Sequence, residues 1–200
     1  MNRDWFEDKA PDYEKNSKRV QNVDNIARAI IGCTPLNRDM HLMDFGSGTG
    51  LLLERIAPYV GKITAVDVSP AMNAQLRGKR DSLDCELDIL EIDLEHSQIN
   101  GNFDGIISSM TMHHVEDVAA MLARFHALLK DDGFIAIADL DAEDGSFHSE
   151  DTGVHHHGFA REAMLRMAGA AGFRDVSVTE ASIVRKPQGD YPVFLLKGIR

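Results

Sequence analysis

Met43-Asp44-Phe45-Gly46-Ser47-Gly48-Thr49-Gly50 joins the end of an apolar run to three alternating glycines. On one side His41 to Phe45 reads as a short strand, and on the other Leu51 to Ala57 reads as a helix stopped near Pro58. Glycines at a strand-to-helix junction can take positive φ where the chain turns, and they let a ligand approach the backbone closely. A side chain at Gly46 or Gly48 is expected to block that approach. The loop therefore points to a nucleotide-type cofactor.

Working outward, Ile63 to Val68 is the next strand and completes a strand-loop-helix-strand unit. Met72 to Lys79 can form a helix, one or two short strands fit between Cys85 and Leu94, and Phe103 to Ser109 is a strand opened by the turn residues Asn100-Gly101-Asn102. Val118, Met121, Leu122, Phe125, Leu128 and Leu129 recur at helical spacing. That helix should end at Lys130-Asp131-Asp132-Gly133, with Gly133 in the left-handed conformation. Phe134 to Ala138 is a strand, 139–158 a polar loop long enough to be a lid or binding loop, and Glu162 to Ala171 a helix closed by Gly172. Val176 to Thr179 and Val193 to Lys197 read as two final strands paired antiparallel across Lys186 to Asp190. The alternation predicts an α/β fold: a Rossmann-like, doubly wound, seven-stranded sheet, mostly parallel with an antiparallel last strand, helices on both faces. Ahead of it, Val20, Val23, Ile26, Ala27, Ile30 and Ile31 share a helical face, so 1–35 is a helical cap segment and 36–200 the cofactor-binding domain.

At 200 residues with 44% hydrophobic content, the chain can bury a core as one domain. The net charge of -11 opposes binding to a phosphate backbone, which makes nucleic acid an unfavoured partner. The basic groups Lys15, Lys18, Arg19 and Arg77, Lys79, Arg80 read as solvated helix faces or local anion sites. Cys33 and Cys85 form no CxxC pair and the start Met1-Asn2-Arg3-Asp4-Trp5 has no apolar core, which fits a cytoplasmic setting without a leader. No apolar run approaches the ~20 residues that cross a bilayer. A homodimer is compatible with the sequence, although no heptad marks one.

The loop departs from two common phosphate-binding patterns. The third glycine of G-x-G-x-x-G would fall at Leu51, and no Lys followed by Ser or Thr comes after Gly50. Asp67, about 20 residues on at the end of a strand, is placed to accept hydrogen bonds from ribose hydroxyls. Together these features favour a ribose and say little about a phosphate.

Asp44 to Gly50, then Val66-Asp67-Val68-Ser69, then Phe103-Asp104-Gly105-Ile106-Ile107-Ser108-Ser109 resembles the class I S-adenosylmethionine-dependent methyltransferases, closest to their small-molecule, ubiquinone-biosynthesis-like branch. The resemblance covers most of the chain and implies S-adenosylmethionine as cofactor. It places the methionine part against Gly46, Gly48 and Gly50, with Asp44 beneath holding the amino group, and gives Asp67 the ribose hydroxyls. Asp93, with Asp88 as competitor, would meet the adenine amino group, and the Leu94 backbone would lie near the ring. Val68 or Met72 would pack on the adenine or serve the core, Ser109 would sit beside the cofactor, and Tyr13, in the aromatic lead-in from Trp5, would close over it.

The acceptor side is less determined. Ser109-Met110-Thr111-Met112-His113-His114 follows the fourth strand, where the family places the transferred methyl. His113 and His114 are candidate bases, which matter only for an acceptor that arrives protonated, and the alternative is that they cap or brace the loop. His155, His156 and His157, with His148, Glu150 and Asp151 nearby, are candidate substrate-facing lid residues, with metal ligation or a solvated loop as alternatives. The implied activity is methyl transfer to a small-molecule acceptor. The alternatives are a non-catalytic cofactor-binding or interaction protein and, third, an NAD-dependent oxidoreductase.

Overall fold

The computed structural model describes residues 4–148 and 152–200. After a short 3-10 helix at Ala10–Lys15 come α1 (Ser17–Cys33), β1 (His41–Phe45), α2 (Leu51–Ile56), β2 (Lys62–Asp67), α3 (Pro70–Lys79), β3 (Glu86–Glu91) and β4 (Phe103–Ser109). They are followed by α4 (Val118–Leu128), β5 (Leu129–Leu140), α5 (Arg161–Ala170), β6 (Arg174–Lys186) and β7 (Gly189–Ile199). The seven strands form one sheet in the order β3-β2-β1-β4-β5-β7-β6. Only β7 runs antiparallel, against both β5 and β6, so the fold is the one its alternating pattern predicts.

Caps fix where the helices begin. Asn16 accepts from the amides of Lys18 and Arg19 at the start of α1, Ser69 from Met72 in α3, and Asp117 from Ala120 in α4. The strands then sort their side chains by alternation. Leu42, Ile63, Ala65, Ile107, Phe134 and Ala136 join the apolar faces of α1, α2 and α3. Met43, Val66, Ile106, Ile135 and Ile137 join those of α4 and α5. The helical segment expected over 1–35 is thus largely α1, whose Val23, Ile26, Ala27 and Ile30 are buried in the first of these clusters.

The chain enters the sheet at its centre with β1, moves outward to β3, then returns to β4 on the other side of β1. That reversal leaves a crevice at the carboxyl ends of β1 and β4, where open α/β sheets bind ligands. The glycine loop leaves β1 there and Ser109 ends β4 there.

Two local expectations are corrected. At the end of α4 the left-handed residue is Asp132 (φ 63), not Gly133. Gly133 is required for a different reason, since a Cβ on it would lie 2.9 Å from the Lys130 carbonyl oxygen and 3.2 Å from that of Asp104. Lys130 pairs with Asp104 at 2.8 Å and already belongs to β5. The last two strands are also far longer than four or five residues, running as an extended hairpin that turns at Pro187-Gln188. Register shifts at Ser177 and Ser182 bend β6.

Candidate functional site

The glycines of the loop have three separate jobs. All have positive φ: 70° at Gly46, 54° at Gly48 and 88° at Gly50. A Cβ on Gly46 would lie 2.2 Å from the Thr111 side chain and one on Gly50 2.5 Å from Leu76 Cδ1, so both are demanded by neighbouring protein atoms. A Cβ on Gly48 would meet nothing within 4 Å. The expected ligand-facing role therefore falls to Gly48, while Gly46 is pinned against the segment after β4.

Asp67 holds this loop from the end of β2. Its Oδ2 accepts from the Gly48 amide at 2.8 Å and its Oδ1 from the Ser69 amide at 2.8 Å. A carboxylate offers about four acceptor positions, so two remain for hydroxyl donors. Beside it Val68 is an exposed apolar side chain at 61%, whereas Met72 is buried at 2% and packs in the core. Burial moves the Asp67 carboxyl up in pKa despite these two amides.

Asp44 is the most strained charge in the site. It is buried, its Oδ2 has no hydrogen-bond partner, and among the described residues no cationic side chain pairs with it. Burial first, and the neighbouring Asp67 second, push its pKa up to about 8. Among the described residues the buried hydroxyls of Ser47, Thr49 and Ser109 are likewise without partners. A buried polar group left unpaired costs about 1–3 kcal/mol, so these atoms together form a polar cradle fitted to a ligand. A carboxylate, small hydroxyls and an open glycine suit a ligand that brings hydrogen-bond donors close to the backbone.

These groups line a cavity of about 410 Å³. Asp44, the loop from Gly46 to Thr49, and Ser109 form one part of its wall, and His113, His114 and His148 another. Met110 lines it too, with a φ of 58 that is rare for a side-chain-bearing residue. Phe6 and Tyr13 close it from the chain start: the Phe6 ring stands edge-on to His114 at 5.7 Å and to Tyr13 at 6.5 Å. Arg19 lies over the Tyr13 ring at 3.8 Å and donates to the Tyr13 carbonyl at 2.5 Å. Burial raises the Tyr13 phenol pKa.

The histidines differ in what holds them. His113 Nδ1 lies 2.7 Å from Oδ1 of the fully buried Asp139, whose Oδ2 accepts the His113 amide at 3.2 Å. A carboxylate only accepts, so Nδ1 carries the proton that faces Asp139. His114 Nδ1 faces the Gly153 carbonyl at 3.3 Å, which by the same reasoning leaves its Nε2 an acceptor. His148 contacts Thr152 through Nδ1 at 3.2 Å, and its buried Nε2 has no partner among the described residues. Burial, reinforced by His113, lowers the pKa values of His114 and His148 to about 4, so both are neutral at pH 7.

Several expected residues fall elsewhere. His155, His156 and His157 do not line the cavity; the amides of the first two tie to the His113 carbonyl at 2.9 and 3.1 Å, and His157 faces Glu143 at 3.6 Å. His155 and His156 brace the His113 loop through backbone, while His148 is the long-loop histidine that reaches the cavity. Glu150 and Asp151 lie outside the described residues. Asp93 sits past the carboxyl end of β3, bonded to the Glu95 amide and to His96, and does not line the cavity; Leu94 is buried at 2%. Asp88 lies within β3 and pairs with Lys62 at 2.7 Å. Among the described residues no group of three or more His, Cys, Asp or Glu is arranged to hold a metal ion. No helix among them is long and apolar enough to cross a membrane.

Sequence reasoning missed Asp139, Phe147, Val184, Lys186 and Pro187. The first had a readable signal, a lone acid ending the apolar run Phe134 to Ala138. The others arrive through the long β6–β7 hairpin and the folded loop before α5, which no local pattern marks.

The model of the methyltransferase domain family matches residues 14–178. An uncharacterised methyltransferase of Schizosaccharomyces pombe is 27% identical over 172 residues, covering 76% of this chain and 57% of that protein. The chain spans about half the length of the curated relatives it matches. In fold it is similar to a chain of the Haloferax volcanii complex between the Trm112 methyltransferase activator and its methyltransferase partner, with TM-score 0.78, 17% identity and coverage of 100% and 99%. It is also similar to the 4+2 cyclase SpnF, with TM-score 0.73, 17% identity and coverage of 88% and 80%.

Proposed function

The chain belongs to the methyltransferase domain family, and from that premise we propose that it moves the methyl group of S-adenosylmethionine to a small-molecule acceptor bound in the cavity. A single juxtaposition supports this: the glycine loop with Asp44 and the Asp139-held His113 open on the same cavity of about 410 Å³. A volume of that size suits a small ligand rather than a polymer.

When bound, S-adenosylmethionine supplies an electrophilic methyl on a sulfonium leaving group. Asp44 would be the partner for its ammonium group and Asp67 for its ribose, with the exposed Val68 toward the adenine and Tyr13 above. The chain's remaining task is to align the acceptor in line with that methyl and exclude water. For an acceptor that arrives protonated, His113 Nε2 would take its proton, and the bound S-adenosylmethionine would supply the methyl group and leave as S-adenosylhomocysteine. Asp139 then faces the imidazolium across Nδ1 and stabilises it.

A second reading, cofactor binding without methyl transfer, draws on the SpnF likeness, because this fold alone admits other chemistry. A panel of phenols, thiols, carboxylic acids and amines, offered with S-adenosylmethionine and read by release of S-adenosylhomocysteine, separates the two. Methyl transfer predicts turnover on a protonated acceptor, reduced about 100-fold or more in His113→Asn. Donor binding with no turnover across the panel favours the second reading.

A further inference from the structure

Of the side chains lining the cavity among the described residues, Asp44 is the one acid, against the cations Lys9, Lys18, Arg19 and Lys186. The chain as a whole has 32 acids and 21 lysines and arginines, so this local excess runs against its composition. Lys18, Arg19 and Lys186 are also held in an unusual way. Lys18 Nζ donates to the Arg185 carbonyl at 3.0 Å, which ties the start of α1 to the end of β6 where Lys186 stands. Arg19 donates to the Tyr13 carbonyl and lies over that ring, and Lys186 donates to the Phe147 carbonyl and lies 3.6 Å from that ring centroid. Among the described residues none of the three forms an ion pair with a carboxylate. Glu143 acts on Lys186 only through space, less strongly than burial and the Arg19 charge, both of which depress its pKa.

Three cations held by carbonyls and ring faces keep their charge directed at whatever enters the cavity. Carbonyl and ring contacts position a cation without neutralising it. The amino end of α1, capped by Asn16, adds the positive end of a helix dipole at the same rim. Nearby Asn22 is 6% exposed, and its Oδ1 is a further polar group of the cavity wall without a partner among the described residues. The cofactor carries one carboxylate, which Arg19 beside Tyr13 can meet, leaving Lys18 and Lys186.

We propose that Lys18 and Lys186 hold an anionic group of the methyl acceptor, so that the substrate class is small organic acids, carboxylate or phosphate, with an apolar body. The apolar body would lie against Val23, Leu52, Phe147 and Val184 of the same cavity. This rests on the methyltransferase reading, and it would explain why a strongly acidic protein keeps a basic mouth at one point on its surface.

The test uses the full chain saturated with S-adenosylhomocysteine and titrated calorimetrically with benzoate, phenyl phosphate, benzamide and benzyl alcohol. At least one of the two anions should bind about tenfold or more tightly than both neutral compounds, and the carboxylate and phosphate arms report which anion is preferred. Combining Lys18→Gln with Lys186→Gln should weaken that anion about tenfold while leaving S-adenosylhomocysteine affinity within about twofold, which also certifies folding. Neutral probes binding as well as the anions, no anion binding at millimolar concentration, or a double variant that loses S-adenosylhomocysteine instead would each overturn the proposal. The wild-type comparison of anions with neutrals stands even if the variant does not fold. Absence of S-adenosylhomocysteine binding by the wild type is a separate result, and it would count against the methyltransferase reading itself.

Discussion

A carboxyl with an ordinary pKa of 3.8 that rises to about 8 on folding makes Asp44 a proton sink in the native state. The native chain then binds a proton the unfolded chain has lost, so its contribution to stability is fully present below about pH 4 and falls as pH rises through 8. Urea unfolding of the free protein should show stability declining from pH 5 to pH 9, and Asp44→Asn should flatten that decline; an unchanged slope would show that Asp44 ionises freely. The same shift predicts that binding a cationic amino acid group at pH 7 releases about one proton, read from calorimetry in buffers of different ionisation heat. His114 and His148 have the opposite sign. Their folded pKa values of about 4 lie below the ordinary 6.5, so the unfolded chain takes up protons first and stability is lost as pH falls from 6.5 toward 4. His148→Asn should make unfolding at pH 5 less different from unfolding at pH 7. Of these residues Asp44 and Ser109 were legible only through the family resemblance, and the His113-His114 pair also through its place after an apolar strand. Asp139 shares that signature but was read as the first residue of a loop, and its partner His113 is 26 positions away in sequence.

At the level of elements, the loop between β1 and α2 separates fold from function residue by residue. Gly46→Ala places a Cβ 2.2 Å from Thr111 at a φ of 70, so it should destabilise the protein by more than the roughly 1–2 kcal/mol of left-handed strain alone. Gly48→Ala meets nothing within 4 Å and should cost only that strain, yet it should weaken S-adenosylhomocysteine binding. Thermal unfolding and titration of the two variants check this, and equal effects of both on stability would remove the distinction. The loop's existence was plain from Gly46, Gly48 and Gly50 between an apolar strand and Leu51. The length of the β6–β7 hairpin was not, because the outer part of β6 is mostly exposed and its alternation is broken by register shifts near Ser177 and Ser182. Val184, Lys186 and Pro187 reach the cavity only because that hairpin is long, and length of pairing is a tertiary property.

For the molecule as a whole, the order β3-β2-β1-β4-β5-β7-β6 sets the site, since the reversal between β1 and β4 brings the glycine loop and the His113 segment to one crevice. Strand count, parallel pairing and the antiparallel last strand followed from the alternation of apolar runs, which burial on both faces of a central sheet enforces. The acceptor half did not follow, because Phe6, Arg19, His148 and Lys186 meet across elements with no shared local pattern. The central claim is that this crevice binds an adenosyl amino acid. Calorimetric titration with S-adenosylhomocysteine and NADH tests it most directly. The site as described predicts binding of S-adenosylhomocysteine, weakened by about 1–3 kcal/mol in Asp67→Ala, and none of NADH; binding of NADH with no response to S-adenosylhomocysteine would contradict it.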